Sequence, residues 1–418
     1  MKTTLIRGLT LLSTLSLAGC SAEDDVPTRV QFATCDDDRP TTFFSARDLY
    51  GVTQAVADGN EGFLLYGSNT SNKPVVRVDH AGNFIELLED PEKDRMIQDV
   101  SPTADGGAIL SSVDWSFKPL PPLLRQALAF KMDATWSAAW QVEIGPPGVG
   151  RTMVRALPDG GAIVAGIYDQ TTTGALRDAE ASELPTTTEP SHGVFSARLS
   201  KEGELLWQRL APFEASAVHN PSWWTEQTLA IGPGDRLRLA TGTADGVLLI
   251  SSDLNGESEQ QLILDTRLAL VPVGVAALPD GRLAILSNRD GAVVTMIDAE
   301  GDVLWEKSYG REHGAEAFGI AANGARREIL VSGSTRGQGL TSQRTWLTAT
   351  DFDGEPTWSL ERRPMDLVGP DGNVEKVTNA QGPAVLGLAV APDGTVLGAG
   401  YTGFQLTYFA LGTEACHE

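Results

Sequence analysis

The sequence predicts an all-β fold made of seven repeated four-stranded units, and three observations lead to this prediction. A turn glycine recurs after short apolar runs along the chain. A second turn, of the form Asp-x-x-Gly, follows in several units. The best-defined unit holds four strand-like runs within about 40 residues, which is the size of one propeller blade. We therefore expect residues 29–418 to form a seven-bladed β-propeller of antiparallel blades.

The unit from Val271 to Gly310 shows the pattern most clearly. Its first run ends at Pro279-Asp280-Gly281, where proline presets φ and glycine accepts a positive φ, so a tight reversal is expected. Its third run is rich in β-branched residues, which favour strands. The four predicted strands are Val271–Leu278, Leu283–Leu286, Ala292–Ile297 and Val303–Trp305.

Both turns can be followed through the chain. The first-turn glycines are Gly59, Gly106, Gly160, Gly234, Gly281, Gly324 and Gly394. The second-turn pairs are Asp79/Gly82, Asp253/Gly256, Asp298/Gly301 and Asp351/Gly354, while unit three keeps only Gly203. A tryptophan stands four residues past the second-turn glycine at Trp207, Trp305 and Trp358, whereas unit two has Asp133 and a displaced Trp140. We expect these rings to pack between neighbouring blades.

The first residues predict export and a lipid anchor. Lys2 and Arg7 precede an apolar run, and Leu-Ala-Gly-Cys follows, which is typical of a signal peptide over residues 1–19. The word resembles the lipobox of bacterial lipoproteins, which implies cleavage before Cys20 and lipid on that cysteine. Ser21 after the cysteine favours the outer membrane, because aspartate there tends to retain such proteins at the inner membrane. Residues 20–28 are acidic and are expected to form a tether between the lipid and the fold.

Two further cysteines, Cys35 and Cys416, are expected to form a disulfide, because an exported chain meets an oxidising compartment. Two free thiols are the alternative. The last unit lacks a second Asp-x-x-Gly turn and a fourth strand of its own. A segment within Arg29 to Ala46 is therefore expected to supply that strand and close the ring.

The positions of the insertions predict which face of the disc binds a partner. In a four-stranded blade the first-to-second and third-to-fourth turns share one face, and these are the short Asp-Gly turns. The insertions fall in the connections of the opposite face, where loops carried by a rigid scaffold commonly hold function. They are Trp115 to Arg125, Asp169 to His192, Pro212 to Thr225, Arg336 to Arg344 and Arg362 to Pro383.

Candidate binding residues on that face are His219, Asn220, Trp223 and Trp115, since tryptophans beside polar groups can stack on a sugar or peptide. Packing of the second tryptophan, Trp224, in the core is the plainer interpretation. We expect no metal site and no cofactor, because no second histidine stands at ligand spacing from His313. No catalytic residue can be assigned. The net charge of −23 disfavours nucleic acid as a partner.

The words MIDAEGDVLW, ARLSKEGELLW and ATDFDGEPTW resemble the quinoprotein-type propeller repeat, with its aspartate, turn glycine and following tryptophan. The resemblance implies a propeller fold and a scaffold role. Proteins of that class resemble an eight-bladed disc, whereas seven units are counted here, and the cofactor ligands of the dehydrogenases are not found. The Asp-box word of sialidase-type propellers is also missing.

Two functions remain open. The first is a non-enzymatic, lipid-anchored binding or scaffold protein that holds a protein, peptide or glycan on the face with the long loops. The second is an extracytoplasmic polysaccharide hydrolase or lyase with acids at the channel mouth. A hydrolase needs two carboxylates about 5 to 10 Å apart.

The lipid anchor gives a direct test. Metabolic labelling with a palmitate analogue should mark the protein, and Cys20→Ala should abolish the label because the acylated sulfur is removed. Gel fluorescence of the purified protein measures this. Label that persists in the Cys20→Ala protein would contradict the anchor.

Overall fold

The computed structural model describes residues 44–46, 52–59, 62–67, 75–80, 84–88, 96–113, 126–169, 192–212, 228–243, 246–267, 271–288, 291–310, 315–335, 344–362, 367–368, 374–375, 384–402 and 405–411. The predicted signal peptide, tether and all three cysteines lie outside these ranges. The described part of the chain holds strands and turns, with no helix able to span a membrane.

Thirty strands are found in the described residues, and they follow the predicted runs closely. The predicted unit at 271–310 contains four of them, and its fourth strand is four residues longer than expected. The strands are β1 Phe44–Ala46, β2 Val52–Asp58, β3 Gly62–Gly67, β4 Val75–Val78, β5 Phe84–Leu88, β6 Met96–Pro102, β7 Ala108–Val113, β8 Ala127–Met132, β9 Ala138–Ile144, β10 Val149–Ala156, β11 Ala162–Asp169, β12 His192–Leu199, β13 Leu205–Pro212, β14 Leu229–Gly232, β15 Arg236–Thr243, β16 Gly246–Asp253, β17 Gln260–Ile263, β18 Val271–Ala277, β19 Leu283–Asn288, β20 Ala292–Ile297, β21 Val303–Tyr309, β22 Ala315–Asn323, β23 Glu328–Thr335, β24 Arg344–Asp351, β25 Pro356–Arg362, β26 Leu367–Val368, β27 Val374–Glu375, β28 Ala384–Val390, β29 Val396–Thr402 and β30 Gln405–Leu411.

The strands form four-stranded antiparallel sheets, so the prediction of an all-β propeller with such blades is confirmed. Within the described ranges there are seven four-stranded sheets and one small ribbon, β26–β27. Six sheets consist of consecutive strands: β2–β5, β6–β9, β10–β13, β14–β17, β18–β21 and β22–β25. We call them blades one to six. Blade seven contains β28, β29 and β30, and β1 pairs antiparallel with β30, Ser45 opposite Thr407.

The first strands of the blades lie side by side around a central channel. Contacts run from β2 to β6, β10, β14, β18, β22 and β28, and return from β28 to β2. Seven apolar clusters of buried residues lie between the sheets, and each draws its members from two neighbouring blades. One joins Phe63 and Leu65 of blade one to Leu397 of blade seven. Each sheet therefore buries both of its faces against its neighbours, which is where the hydrophobic free energy of the fold lies.

A repeated hydrogen bond joins consecutive blades. Trp207 Nε1 donates to the Leu254 carbonyl at 3.0 Å, and Trp305 Nε1 donates to the Phe352 carbonyl at 3.3 Å. Each tryptophan stands on the fourth strand of its blade. Each acceptor, Leu254 or Phe352, directly follows the aspartate that opens the second turn of the next blade. The expected position of these rings between blades is therefore confirmed.

The second-turn glycine is required by this contact as well as by its backbone angle. Gly256 has φ of 71° and Gly354 has φ of 80°, both in the left-handed region. A Cβ on Gly256 would lie 2.9 Å from the ring of Trp207, and one on Gly354 would lie 2.9 Å from Trp305. The tryptophan of one blade and the glycine of the next are thus two halves of one contact.

Unit two corrects a prediction. Trp140 is not displaced: it stands four residues past Trp136, which occupies the turn-glycine position with φ of 59°. Asp133 Oδ1 accepts hydrogen bonds from the amides of Thr135 and Ser137, as the other turn aspartates do for their turns. Trp140 Nε1 then donates to the Lys201 carbonyl at 2.8 Å. The glycine pattern fails at this turn because Trp136, a residue other than glycine, adopts the left-handed conformation there.

Blade four lacks the tryptophan and uses arginine instead. Arg236 and Arg238 each donate to the Ala299 carbonyl at 3.1 Å, and Arg238 also donates to the Gly281 carbonyl at 2.9 Å. Leu262 fills the space beside Gly301, where a Cβ would lie 2.7 Å from its Cδ2. In blade four the arginines thus donate the hydrogen bonds and Leu262 packs against the turn glycine, two roles that one tryptophan fills in blades two, three and five.

The turn glycines allow a matched test, because Gly106 and Gly203 both have φ of 84°. A Cβ at Gly106 would meet Ala134 at an ordinary 3.5 Å, whereas one at Gly203 would lie 2.7 Å from Trp140. Gly106→Ala should cost about 1 to 2 kcal/mol of unfolding free energy from backbone strain alone. Gly203→Ala should cost about 1 to 3 kcal/mol more, because Trp140 must shift. Denaturant unfolding of both variants measures the difference, and equal costs would contradict the contact.

Candidate binding site in the central channel

The two faces of the propeller differ in the length of their connections. On one face, which we call the tight-turn face, three to six residues separate consecutive strands of a blade, as between β2 and β3 or β16 and β17. On the opposite face, the long-loop face, some connections are much longer: residues 114–126, 170–191, 213–228 and 363–383. The predicted candidates His219, Asn220, Trp223 and Trp115 belong to these connections and lie outside the described residues.

Side chains from one blade reach turn carbonyls of the next on the tight-turn face. Arg77 donates to the Gly106 carbonyl, Arg198 to Leu254 and Arg282 to Phe352. Carboxylates here have cations beside them: Lys131 Nζ lies 2.6 Å from Asp105, and this hydrogen bond lowers the pKa of Asp105 to about 2. Arg282 likewise lowers the pKa of Asp280. Asp105 and Asp280 are thus ionised and paired at neutral pH.

A cavity of about 280 Å³ occupies the central channel. Its walls are mostly small apolar residues from the first strands, and its polar side chains come from three successive blades: Tyr66, Asp99 and Arg155. A second cavity of about 440 Å³ shares Ala57, Ala322 and Val390 with the first and extends to the tight-turn face at Gly59 and Pro392. The two cavities are therefore parts of one channel.

Asp99 is the centre of a buried polar network in the channel wall. It is 1% exposed. Its Oδ1 accepts from the Tyr66 hydroxyl at 2.5 Å and from the Val100 amide at 3.0 Å, and its Oδ2 accepts from the Val154 amide at 2.9 Å. Arg155 Nη1 completes the set at 2.6 Å from Oδ2. Asp99 thus has four hydrogen-bond donors, one of them the Arg155 guanidinium, and these offset the cost of burying it in an apolar wall.

A bulge in β6 places this carboxylate. The pairing of β6 with β7 shifts between Ile97 and Asp99, and Gln98 projects from the bulge. Gln98 Oε1 accepts from Thr152 N at 2.6 Å and Oγ1 at 2.9 Å, and its Nε2 donates to the Gly150 carbonyl at 3.2 Å. Blades two and three are therefore joined by side chains along the channel as well as by their cluster.

Arg155 and Asn323 give the channel its free donors. Arg155 is 24% exposed in its side chain and uses only Nη1, toward Asp99 and the Val154 carbonyl. Asn323 is fully buried and lines the second cavity, and its Nδ2 has no hydrogen-bond partner while its Oδ1 accepts from the Arg326 amide. The channel thus offers donors to a ligand that carries acceptors, such as a carbonyl or carboxylate.

The channel contains no pair of free carboxylates in the part that the structure describes. Asp99 is the single acidic residue among the described lining residues, and its oxygens are all engaged by donors. No group of three or more possible metal ligands occurs among the described residues. A two-carboxylate arrangement of the glycosidase type is thus not found among the described lining residues.

Sequence reasoning missed Tyr66, Asp99, Arg155 and Asn323. A usable signal existed for Asp99. Four residues before the first turn begins, blades five, six and seven have Gly274, Gly319 and Gly387, whereas blades one and two have Gln54 and Asp99. An acid in a position that three other units fill with glycine indicates a special role in the channel wall.

Comparisons with known proteins place the fold and no more. No family model matches the chain, and no curated protein matches it. A solved structure of Ycf48 bound to a D1 peptide is similar, with a TM-score of 0.52, 15% identity, and coverage of 92% of this chain and 97% of that chain. A protein of unknown function from Bacteroides caccae has a TM-score of 0.43 and 15% identity, and the match covers 71% of this chain and 92% of that chain. A structure of NanB with Optactamide has a TM-score of 0.47 and 9% identity, and the match covers 78% of this chain and 69% of that chain. The chain thus has a β-propeller fold.

The Asp99 network yields a prediction with a matched control. Tyr66→Phe removes a hydrogen bond to a buried carboxylate and should cost about 1.5 to 3 kcal/mol of unfolding free energy. Tyr309, whose pKa is raised by burial, donates to the Gly354 carbonyl at 2.8 Å. Tyr309→Phe should cost only about 0.5 to 1.5 kcal/mol, since its acceptor is neutral. Denaturant unfolding at neutral pH compares them, and an equal or smaller cost for Tyr66→Phe would contradict the buried Tyr66–Asp99 hydrogen bond.

Proposed function

We propose that this protein is a lipid-anchored, extracytoplasmic β-propeller that binds a peptide or protein partner with its long-loop face and channel mouth. Its seven blades form a complete ring, and β1 supplies the outer strand of the last blade. The anchor at Cys20 holds the ring at the outer membrane. The partner is bound without chemical change.

The difference between the two faces carries this proposal. Connections of the tight-turn face are short, and their carbonyls already accept hydrogen bonds from neighbouring blades. Apart from the cavity that opens between Gly59 and Pro392, little of that face is left to bind a partner. Four connections of the long-loop face, 114–126, 170–191, 213–228 and 363–383, are long enough to form a surface around the channel. Loops on a rigid scaffold commonly carry recognition.

The channel supports a peptide as the ligand class. Arg155 and Asn323 present donors between apolar walls of alanine and valine, which suits the carbonyls and small side chains of an extended chain. Ycf48, whose fold is similar, is described in complex with a D1 peptide. We extend only the ligand class, a peptide segment, to the present chain.

The alternative hypothesis, a polysaccharide hydrolase or lyase, lacks support in the described channel. It requires an acid and a base or nucleophile that converge on one bond. Asp99 is bound on both oxygens, and the other described lining residues include no second acid. We therefore propose the binding function alone.

Loop replacement tests the proposal. The partner is first identified by crosslinking in solubilised envelope and then purified. Replacing Pro212 to Trp223 by a Gly-Ser linker should weaken its capture about tenfold or more, as expected when a central binding segment is lost. Unfolding should stay cooperative, because the apolar clusters found among the described residues are built from the blades themselves. Titration of the purified pair measures the affinity.

Glu300→Lys is the matched control on the opposite face. Glu300 is exposed in a second turn, and its amide donates to Asp298 Oδ1, which the substitution leaves in place. Capture should be nearly unchanged in this variant. If Glu300→Lys lost the partner while the loop replacement kept it, the binding surface would have to be moved to the tight-turn face.

A further inference from the structure

Arg155 is exceptional among the residues of the inner strands. It stands on β10, two residues before the first turn of blade three, which closes between Leu157 and Gly161. Every other blade has a serine, an alanine or a valine at this position of its inner strand. The blade fold therefore does not require an arginine here. The equivalent residues are Val56, Ser101, Ala230, Ala276, Ala321 and Ala389.

The two connected cavities lie in the half of the channel nearer to the tight-turn face. Their inner-strand lining residues stand within four residues of the start of a first turn, as Ala55 does before Asp58 and Leu388 does before Ala391. The second cavity reaches Gly59 and Pro392, which belong to the turns themselves. A ligand therefore has an entry on the tight-turn face, opposite the long loops.

Asp99 holds one side of the Arg155 guanidinium and leaves the other side available. Nη1 lies 2.6 Å from Asp99 Oδ2 and donates to the Val154 carbonyl at 2.6 Å. The Tyr66 hydroxyl and the amides of Val100 and Val154 also donate to Asp99, so this carboxylate does not depend on Arg155 alone. The Arg155 side chain is 24% exposed and lines the cavity. Its outer nitrogen, Nη2, can therefore bind a second anion.

The charge and the walls of the cavity fit one kind of ligand. Arg155 is the one cation among the described lining residues, and the one acid, Asp99, has both oxygens turned toward donors. The N–H groups of a guanidinium match the two oxygens of a carboxylate. The half-buried side chains of Ala57, Ala322 and Val390 line both cavities and leave room for a short apolar tail. Volumes of about 280 and 440 Å³ are close to those of small-molecule sites.

Asn323 supplies a second donor in the same channel. It is fully buried and lines the second cavity, and its Nδ2 has no hydrogen-bond partner. Its Oδ1 accepts from the Arg326 amide, which fixes the orientation of the side-chain amide. A buried donor that the chain itself leaves unsatisfied is costly, so a ligand that carries acceptors is favoured here.

We propose that the channel is a binding site for a small carboxylate with a short apolar tail, entered from the tight-turn face, and that Arg155 binds the carboxylate. A free organic acid and the carboxyl-terminal residue of a peptide share this chemistry. The site rests on the proposed use of the channel for binding, and it adds the chemical group that the channel recognises.

Titration of the full-length protein with butyrate and with butyramide, followed by NMR of the ligand, tests this. Both probes have the same tail, but only butyrate is charged. Butyrate should bind about tenfold or more tightly than butyramide, because a charge-assisted pair replaces a neutral hydrogen bond. N-acetylalanine and N-acetylalaninamide repeat the comparison for a chain terminus, and the tighter of the two acids identifies the source. Equal binding of acid and amide in both pairs, or no binding of either acid, would overturn the proposal.

Two variants locate the site. Arg155→Lys keeps a cation for Asp99 but has no second N–H edge for the ligand, so butyrate should bind about tenfold or more weakly. Ala322→Leu fills the space that the two cavities share and should weaken butyrate by a similar factor. Ala277→Leu is the matched control. Ala277 also stands one residue before its first turn, in blade five, but lines neither cavity.

Butyrate binding should be unchanged in the Ala277→Leu protein. Binding that survives Arg155→Lys or Ala322→Leu, or that Ala277→Leu removes equally, would show that butyrate binds elsewhere and would overturn the proposal. The comparison of acid with amide uses the wild-type protein, so it is decisive even if a variant does not fold. It involves neither the partner nor the long loops, so its failure is distinct from a failure of the loop replacement.

Discussion

The donor nitrogen that one blade places on a turn carbonyl of the next is the interaction on which the ring depends. A four-stranded sheet has two apolar faces, and the clusters between blades would tolerate some sliding. The bond from Trp207 to Leu254 removes that freedom, because it specifies one relative position. Asp253 prepares the acceptor by binding the amides of Asn255 and Glu257, which holds the turn in a single shape. One turn aspartate, one glycine and one tryptophan thus define the Trp207 and Trp305 interfaces, and Ser200 takes the place of the aspartate at the Trp140 interface.

Much of the fold could be predicted because each blade is specified locally. Turn glycines, apolar runs and β-branched residues lie within one unit, so β18 to β20 were predicted to within two residues. Trp136 shows where this approach fails. Its φ of 59° belongs to a position normally held by glycine, and no single-residue pattern reveals that a tryptophan tolerates it. The conformation is held by Asp133 and by packing against blade one, including Arg77 at 5.9 Å from the ring.

The candidate site could be predicted much less well. Asp99, Tyr66 and Arg155 lie on three blades and are separated in sequence by more than thirty residues, so their proximity depends on the angle between blades. Each looks ordinary in its own strand. Asn323 is similar, since its unpaired Nδ2 is a property of the assembled channel rather than of its neighbours in sequence. By contrast, the uneven connection lengths were readable from the spacing of the turns alone.

The separation of short and long connections onto opposite faces has a consequence for how such a protein can diverge. Bonds that define the ring lie at one end of each blade, while residues 170–191 and 213–228 join strands at the other end. Changes in those intervals leave the Trp207 and Trp305 contacts untouched. Specificity can therefore change without loss of the scaffold, and the two intervals can be exchanged between related rings as independent cassettes.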